Sequence, residues 1–167
     1  MRLNDKKKIL QALAAGVAPV LILTSALWAQ TTTLAEVRLH ALHAAPGKPS
    51  VYEIAFIAQE TLTLSAGFVF EFPAEFDLSQ LQIAGSPDMS GGFTLTRDKQ
   101  KVRVQRSGLG QSVASGTLVR LRLGAIINPK NFASTGEVTL QVRASAQSAA
   151  AAFAKQRVAF QNINQRE

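Results

Sequence analysis

Apolar residues recur at every second position through most of the chain from residue 36 onward. A period of two places successive side chains on opposite faces, so the pattern predicts half-buried β-strands rather than helices. The strand segments are short, and Gly, Pro and polar residues separate them. The residues predicted to face the core are Val37, Leu39, Ala41, Tyr52, Ile54, Phe56, Phe68, Phe70, Phe72, Val119, Leu121, Leu123, Val138, Leu140 and Val142.

A β-hairpin is predicted within "GGFTLTRDKQKVRVQRSG", where two alternating arms flank the polar stretch "RDKQK". The inward residues of its arms are Phe93, Leu95, Val102 and Val104. A last strand is predicted in "RVAFQNI", facing inward either through Val158 and Phe160 or through Ala159 and Ile163. The sum is seven or eight strands, which is typical of an all-β, antiparallel β-sandwich, although a closed barrel has nearly the same pattern.

Residues 144–156, "ASAQSAAAAFAKQ", do not follow the strand pattern. Alanine has the highest helix propensity, but so short a helix is marginal on its own. We therefore predict an Ala-rich loop that can hold one or two helical turns.

The segment "GAIINPKNFASTG", residues 124–136, is punctuated by Gly and Pro and contains no His, Cys or carboxylate. Pro129 cannot continue a strand ladder and Gly136 permits a tight entry into the next strand, so the segment is predicted to connect two strands. Ile126 or Ile127 is expected to reach the core, and Lys130 and Asn131 are its candidate contact residues.

The first 29 residues have the pattern of a secretory signal peptide. A basic start precedes an uncharged apolar run from Ile9 to Ala29 that ends in small residues. We predict a signal helix cleaved after Ala29, followed by a single domain at 30–167.

The alternative is an uncleaved membrane anchor through residues 9–29, because about 20 apolar residues can span a bilayer. Pro19, inside the run, favours cleavage. Both alternatives predict an exported domain that is periplasmic, cell-surface or extracellular.

Composition excludes several classes of function. The 167 residues include no Cys, so there is no disulfide framework, thiol nucleophile or Cys-based metal site. The formal charge is +7, but four of the 18 basic and one of the 11 acidic residues lie in the predicted signal peptide. The remaining 14 and 10 leave a net charge of +4, which is no strong signal for a polyanion or for specific nucleic acid. We expect no cofactor.

Short motifs in the region of residues 46–145 resemble those of an Ig-like or cohesin-like β-sandwich module found in secreted and cell-surface proteins of bacteria and archaea. The matching positions are Phe72-Pro73 with Phe76, Gly116-Thr117, and Ile127-Asn128-Pro129 with Gly136. The resemblance implies a structural or adhesive unit and transfers no catalytic residue. This chain has one copy where such modules usually occur in tandem, which leaves room for a free-standing binder or an assembly subunit.

Candidate catalytic and metal-binding residues are few. His40 and His43 are three positions apart, so on one strand they would point to opposite faces and could not share a metal ion. Glu71, Glu75 and Asp77 lie within seven residues and are weak candidates for a Ca²⁺ site or a glycosidase acid and base. Solvated loop carboxylates are the simpler interpretation, so we predict no metal and no enzyme.

Basic residues provide the candidate ligand-binding site. Lys101 and Arg103 share the outward parity of one predicted strand, and Arg120 and Arg122 that of the next. If those strands are neighbours, the four form a basic sheet face that could bind acidic polysaccharide. No Trp lies outside the predicted signal peptide, which argues against a stacking platform for sugars or bases.

These observations predict a non-enzymatic structural or protein-interaction module. The first alternative is a subunit of a surface filament or complex that assembles by strand addition, and the second is a glycan or polyanion binder that uses the basic face. The expected partner is another protein or a second copy of the chain, and a membrane is contacted only through residues 9–29 if they are not cleaved.

Overall fold

The computed structural model describes residues 32–34, 36–148 and 151–160, and in these ranges the chain forms ten β-strands in two sheets. None of the described residues belongs to a helix long and apolar enough to cross a membrane. The predicted signal peptide, residues 1–29, lies outside the described residues.

The strands are joined by turns and by longer loops, of which residues 72–82 and 107–117 are examples. They are β1 (Thr32–Thr33), β2 (Arg38–Ala41), β3 (Pro49–Ile57), β4 (Gly67–Glu71), β5 (Ile83–Gly85), β6 (Phe93–Asp98), β7 (Lys101–Arg106), β8 (Leu118–Ile127), β9 (Glu137–Arg143) and β10 (Ala152–Arg157). The number exceeds the predicted seven or eight partly because β1 and β5, with two and three residues, are too short to show a period in the sequence.

The strands form a six-stranded sheet in the order β1-β10-β9-β4-β7-β6 and a four-stranded sheet in the order β2-β3-β8-β5. All pairs are antiparallel except β1 with β10, which are parallel. Within the described ranges the sheets are separate and share one hydrophobic core, so the chain is a β-sandwich and not a closed barrel.

The core consists of the inward side chains of both sheets, and the period-two prediction identified most of them. Every residue predicted from the alternating strands is at most 5% exposed, except Val37, which is half-buried. Phe93 and Leu95 are also half-buried, because β6 is an edge strand. Tyr52, Phe72 and Phe76 pack edge to face, with ring centroids 5.4 to 6.3 Å apart. Burial of each such ring stabilises the fold by about 1.5–3 kcal/mol.

The Ala-rich segment differs from its prediction. Residues 144–147 form a bend and a turn, as expected of a loop, but the loop prediction is wrong from Ala152 onward because β10 begins there. β10 pairs with β9 from Glu137 to Val142, and its Ala154 faces the core opposite Leu140. Without β10, the N–H and C=O groups on this edge of β9 would have no partners. Pairing them stabilises the extended conformation of residues 152–157 more than the helix propensity of alanine opposes it.

After β10 the chain crosses from one sheet to the other. The last strand lies earlier than the one predicted in "RVAFQNI", because β10 ends at Arg157 and the described residues after it make only an isolated bridge. The inward position of the first predicted register does hold for Val158, which is 8% exposed and belongs to the core. Ala159 forms a parallel bridge with His40 of β2, and Phe160 stacks on Phe132 with ring centroids 3.9 Å apart. Ile163, the marker of the second register, lies outside the described residues.

Candidate interaction surface

Asn128 of the "INP" motif is a buried structural residue, 2% exposed at the end of β8. Its Oδ1 accepts a hydrogen bond from the hydroxyl of Tyr52. Its Nδ2 donates to the backbone carbonyls of His43 and Ala45, both at 2.8 Å. The side chain thus fastens the connection between β2 and β3 to the end of β8, and none of its polar atoms is available to a ligand.

The other motif residues also serve the fold. A Cβ on Gly136 would lie 3.0 Å from Cγ of Pro73, so the Gly after "INP" and the Pro of "FP" approach too closely for a larger residue. Gly116 has a φ of +83°, which a residue with a side chain rarely adopts, and its N–H donates to the carbonyl of Ala58 at 2.7 Å. The motifs therefore mark turn and packing geometry, while Lys130 and Asn131 remain exposed beside them.

The four basic candidates do not form one face. Lys101 and Arg103 lie on β7 in the six-stranded sheet, whereas Arg120 and Arg122 lie on β8 in the four-stranded sheet. Their outward side chains emerge on opposite sides of the sandwich. The condition of the prediction, that the two strands be neighbours, is not met, because β8 pairs with β3 and β5.

On the outer face of the four-stranded sheet, Arg120 and Arg122 are paired with acidic groups of the molecule, whereas Arg38 of β2 is exposed and has no acidic group within 4.0 Å among the described residues. Arg120 makes a bidentate pair with Asp88, with Nη2 to Oδ1 at 2.7 Å and Nε to Oδ2 at 3.0 Å. This hydrogen bonding holds the pKa of Asp88 below its ordinary value and raises that of Arg120. Arg122 donates from Nε to Oε2 of Glu53 at 2.7 Å, and His40 Nε2 lies 3.7 Å from the other Glu53 oxygen.

The outer face of the six-stranded sheet carries charges of both signs that are not paired with each other. The register aligns Lys155, Thr139, Glu71, Lys101 and Asp98 in one row across five strands, and Phe153, Gln141, Val69, Arg103 and Thr96 in the next. Arg143 lies one row further, opposite Gly67 and Gln105. Among the described residues, none of these charged side chains has an oppositely charged group within 4.0 Å.

A shallow groove crosses this face where β4 contributes a Gly in place of a side chain. It is lined by Lys101, Arg103, Gln105, Gln141 and Arg143, and it has a volume of about 180 Å³. The amide of Gln105 lies over Gly67 and donates to the carbonyl of Ser65 at 2.5 Å. We call the outward side chains of β10, β9, β4, β7 and β6 the six-stranded face.

The three carboxylates proposed as weak catalytic or metal candidates are not brought together. Glu71 points outward from β4, Glu75 is exposed in the following loop, and Asp77 accepts a hydrogen bond from the Ser79 N–H at 2.8 Å. That hydrogen bond lowers the pKa of Asp77. Nowhere in the part of the chain that the structure describes do three metal-binding side chains cluster. His43 is exposed beyond the end of β2, apart from the His40–Glu53 contact.

Arg106 is an important residue that sequence reasoning missed. It is 3% exposed, and its guanidinium donates to four backbone carbonyls at 2.6–3.3 Å, which belong to Leu62, Thr63, Ser90 and Gln111. Desolvation by burial lowers its pKa. Three loops at one end of the sandwich are thereby joined. The signal was present in the alternation of "KVRVQR", where Arg106 has the same parity as Val102 and Val104.

No protein-family model and no curated protein matches the sequence. Among solved structures, the chain is similar to a cohesin module from a Clostridium perfringens family 33 glycoside hydrolase, with 16% identity over 76% of this chain and 98% of that module and a TM-score of 0.44. A protein from Nocardia farcinica with an immunoglobulin-like fold shows 16% identity over 71% of this chain and 96% of that chain, with a TM-score of 0.43. The full-length major pilin SpaD from Corynebacterium diphtheriae shows 18% identity over 74% of this chain and 34% of the pilin, with a TM-score of 0.45.

Cohesin and immunoglobulin-like modules are therefore among the structures that the chain is similar to, as the sequence motifs predicted. The β-sandwich class itself rests on the chain's own two sheets. At these identities no residue role passes from those proteins to this chain.

Proposed function

We propose that this chain is an exported, non-enzymatic protein-interaction module that binds its partner through the six-stranded face. The observation that carries the proposal is the contrast between the two outer faces. Two of the three arginines on the outer face of the four-stranded sheet, Arg120 and Arg122, are paired within the molecule, whereas Lys101, Arg103, Arg143 and Glu71 on the six-stranded face are not paired with one another. Exposed charges of both signs on a rigid sheet supply the electrostatic complementarity that selects a partner.

Three basic residues border the groove, so the partner surface is expected to present carboxylates to Lys101, Arg103 and Arg143. Gln105 and Gln141 add amide groups that can both donate and accept hydrogen bonds there. The acidic-polysaccharide alternative loses the four-residue basic face on which it was predicted, because Arg120 and Arg122 lie on the other sheet and are bound by Asp88 and Glu53.

A non-enzymatic role is supported by the ion pairs that several of the ionisable side chains make within the molecule. His40 contacts Glu53, which is bound by Arg122, and Asp88 is bound by Arg120. Glu71, Glu75 and Asp77 diverge from one another.

Export is supported by the basic, apolar and small-residue order of residues 1–29. N-terminal sequencing of the native protein is expected to begin at Gln30. Recovery of the protein in a cytoplasmic fraction with Met1 or Arg2 first would contradict export.

The binding proposal is tested by charge reversal on the six-stranded face. The triple variant Lys101→Glu/Arg103→Glu/Arg143→Glu is compared with wild type as bait for surface proteins extracted from the source cells. We expect the variant to recover about tenfold less of any partner that wild type binds, since several charge contacts change from attractive to repulsive.

The matched control is Arg38→Glu/Lys48→Glu/Lys130→Glu, which changes the net charge equally at exposed positions outside the six-stranded face. It is expected to retain the partner. Equal loss in both variants would mean that the interaction depends on net charge and not on this face. Full retention by the first variant would rule the face out.

A further inference from the structure

The two sides of the sandwich differ in how their strand edges are covered. On one side β1 pairs with β10, and Ala159 bridges to His40 of β2. On the other side the six-stranded sheet ends at β6, which pairs only with β7 among the described residues. With six residues, β6 is the longest of the four edge strands of the described sheets. It is therefore the edge most able to accept a further strand.

The hydrogen bonds of β7 identify which backbone groups of β6 point to this edge. Arg106 lies opposite Phe93, but its N–H donates to the carbonyl of Ala66, on the side of β4, at 3.0 Å. Bonded and non-bonded pairs alternate along an antiparallel ladder, so Phe93, Leu95 and Arg97 direct their N–H and C=O groups away from β7. No hydrogen bond to these groups is found among the described residues.

β6 lacks most of the features that keep edge strands from pairing. It contains no Pro and no bulge, and all six of its residues are in register with β7. Thr94 and Thr96 on its outward side are exposed and uncharged. Arg97, which has the parity of the half-buried Phe93 and Leu95, is the one charge that opposes pairing. An incoming strand must therefore offer a group that the Arg97 guanidinium can contact.

The free backbone groups of β6 complement those of a second β6. Two antiparallel copies form hydrogen bonds only where Phe93, Leu95 and Arg97 of one copy face the same set of residues in the other. The register with Leu95 facing Leu95 of the second copy forms three such pairs, with two hydrogen bonds each and six in all. A shift by two residues in either direction leaves only two of these pairs. The edge is thus self-complementary in one register.

The side chains are also compatible in this register. Phe93 faces Arg97 of the second copy, so the aromatic ring meets the guanidinium that would otherwise oppose pairing. Arg97 is already held at this edge, because its Nη1 donates to the carbonyl of Leu78. Asp98, the acidic residue of the strand, faces Gly92, so no like charges oppose each other. Both shifted registers separate the ring from the guanidinium.

We propose that two copies of this chain dimerise through β6, antiparallel and centred on Leu95, so that their six-stranded sheets join into one continuous sheet. Both copies use the same strand, so the contact closes about a two-fold axis and does not propagate into a filament. The dimer places two six-stranded faces side by side, which would strengthen binding to a partner that carries repeated sites. The inference does not depend on the binding role proposed for that face.

The absence of native Cys allows the register to be tested directly on the chain as the cells produce it. Thr94 faces Thr96 of the second copy as a non-bonded pair, whose Cα atoms are about 4.5 Å apart and within range of a disulfide. Thr94→Cys and Thr96→Cys are made in separate chains with different affinity tags, mixed as folded proteins and oxidised. We expect about tenfold more disulfide-linked heterodimer than when Thr117→Cys, exposed outside β6, replaces Thr96→Cys.

Thr94→Cys alone provides the matched control. In the proposed register two copies of this Cys are diagonal neighbours about 7–8 Å apart, too far for a disulfide, so it should cross-link to itself only at the background level. A heterodimer at the background level would overturn the proposal, and so would Thr94→Cys homodimers as abundant as the heterodimer.

Charge substitutions test the dimer without a cross-link. Thr94→Lys/Thr96→Lys and Thr94→Glu/Thr96→Glu each place like charges opposite one another at two points of the dimer. Sedimentation should show that each variant alone dimerises about tenfold more weakly than wild type, and that an equimolar mixture recovers a heterodimer. Thr61→Lys/Thr117→Lys, at exposed positions outside β6, should dimerise as wild type does.

The substituted positions are exposed in the single chain, and urea unfolding checks that each variant folds. Wild type that stays monomeric at every concentration would overturn the proposal. Folded Lys and Glu variants that dimerise as strongly as wild type would do the same, because β6 would then lie outside the contact.

Discussion

The hydroxyl of Tyr52 in the middle of the core donates a hydrogen bond to Oδ1 of Asn128, 76 residues later in the chain. Tyr52 is fully buried and Asn128 is 2% exposed. The same Asn128 binds the carbonyls of His43 and Ala45 through its amide nitrogen. A single side chain thus binds the buried Tyr52 hydroxyl and two backbone carbonyls, and it joins β3, β8 and the connection that precedes β3.

Asn128→Ala is expected to destabilise the fold by about 3 kcal/mol, because it leaves the buried Tyr52 hydroxyl and the His43 carbonyl without this partner and removes one of the two donors to the Ala45 carbonyl. Tyr52→Phe removes only the hydroxyl and should cost about 1–2 kcal/mol. Urea unfolding of both single variants and of the double variant measures the coupling. We expect the double variant to be clearly more stable than the sum of the single losses predicts, and simple additivity would contradict a direct interaction.

Burial raises the pKa of Tyr52 above its ordinary value of 10.0. The fold therefore favours the neutral phenol, and the resulting stability is present below pH 10.0 and is lost as the pH rises above it. Tyr52 is the only tyrosine of the chain, so tyrosinate absorbance reports on it alone. We expect this absorbance to appear together with the loss of the β-sheet circular dichroism signal. Ionisation near pH 10.0 in a folded protein would show that water reaches the hydroxyl.

Arg106→Met is expected to cost about 3 kcal/mol, since the carbonyls of Ser90 and Gln111 lose the guanidinium donor and those of Leu62 and Thr63 keep only a backbone N–H. Arg106→Lys should recover only part of this loss, because an ammonium has three donors and no planar fork. Hydrogen exchange should accelerate around Ser90 and Gln111 in both variants. Arg103→Met, exposed on the same strand, is the control and should change the stability by less than about 0.5 kcal/mol.

Gly136→Ala is expected to lower the free energy of unfolding by about 1 kcal/mol. Its new Cβ would lie 3.0 and 3.2 Å from two carbons of Pro73, and a proline ring has little freedom to move away. Gly85→Ala is the matched control, because nothing lies within 4 Å of the added Cβ in β5. If thermal unfolding shows equal effects for both substitutions, the contact between Gly136 and Pro73 does not restrict the fold.

The Asp88–Arg120 pair makes stability depend on pH at the acid end. Because hydrogen bonding to Arg120 lowers the pKa of Asp88, the pair stabilises the fold above the unfolded-state value of 3.8 and stops doing so as the pH falls below it. Asp88→Asn should therefore lower the melting temperature at neutral pH and make little difference in strong acid. The loss is expected to be modest, since the Arg120 side chain is 42% exposed. A difference between Asp88→Asn and wild type that does not change with pH would mean that the charge of Asp88 is not involved.

The sequence by itself determined which side of each long strand faces the core. Tyr52, Ile54 and Phe56 of β3 are all at most 1% exposed, as the alternation predicted. This information is local, because consecutive residues of a strand point to opposite faces whatever its neighbours are. Arg106 shows the limit of the method, since the same alternation placed it inward while its charge argued for the surface.

Only the tertiary structure decided which strands are neighbours, and the candidate site depends on that choice. Lys101 and Arg103 share a face with Glu71, Gln141 and Arg143 because β7 pairs with β4 and β4 with β9. Arg120 and Arg122 lie on the other side, where Asp88 and Glu53 bind them. Similarly, the second half of the Ala-rich segment forms β10 because its backbone pairs with the edge of β9. Pairing joins residues far apart in the chain and reflects the competition of all strands for partners, so no local period of the sequence contains it.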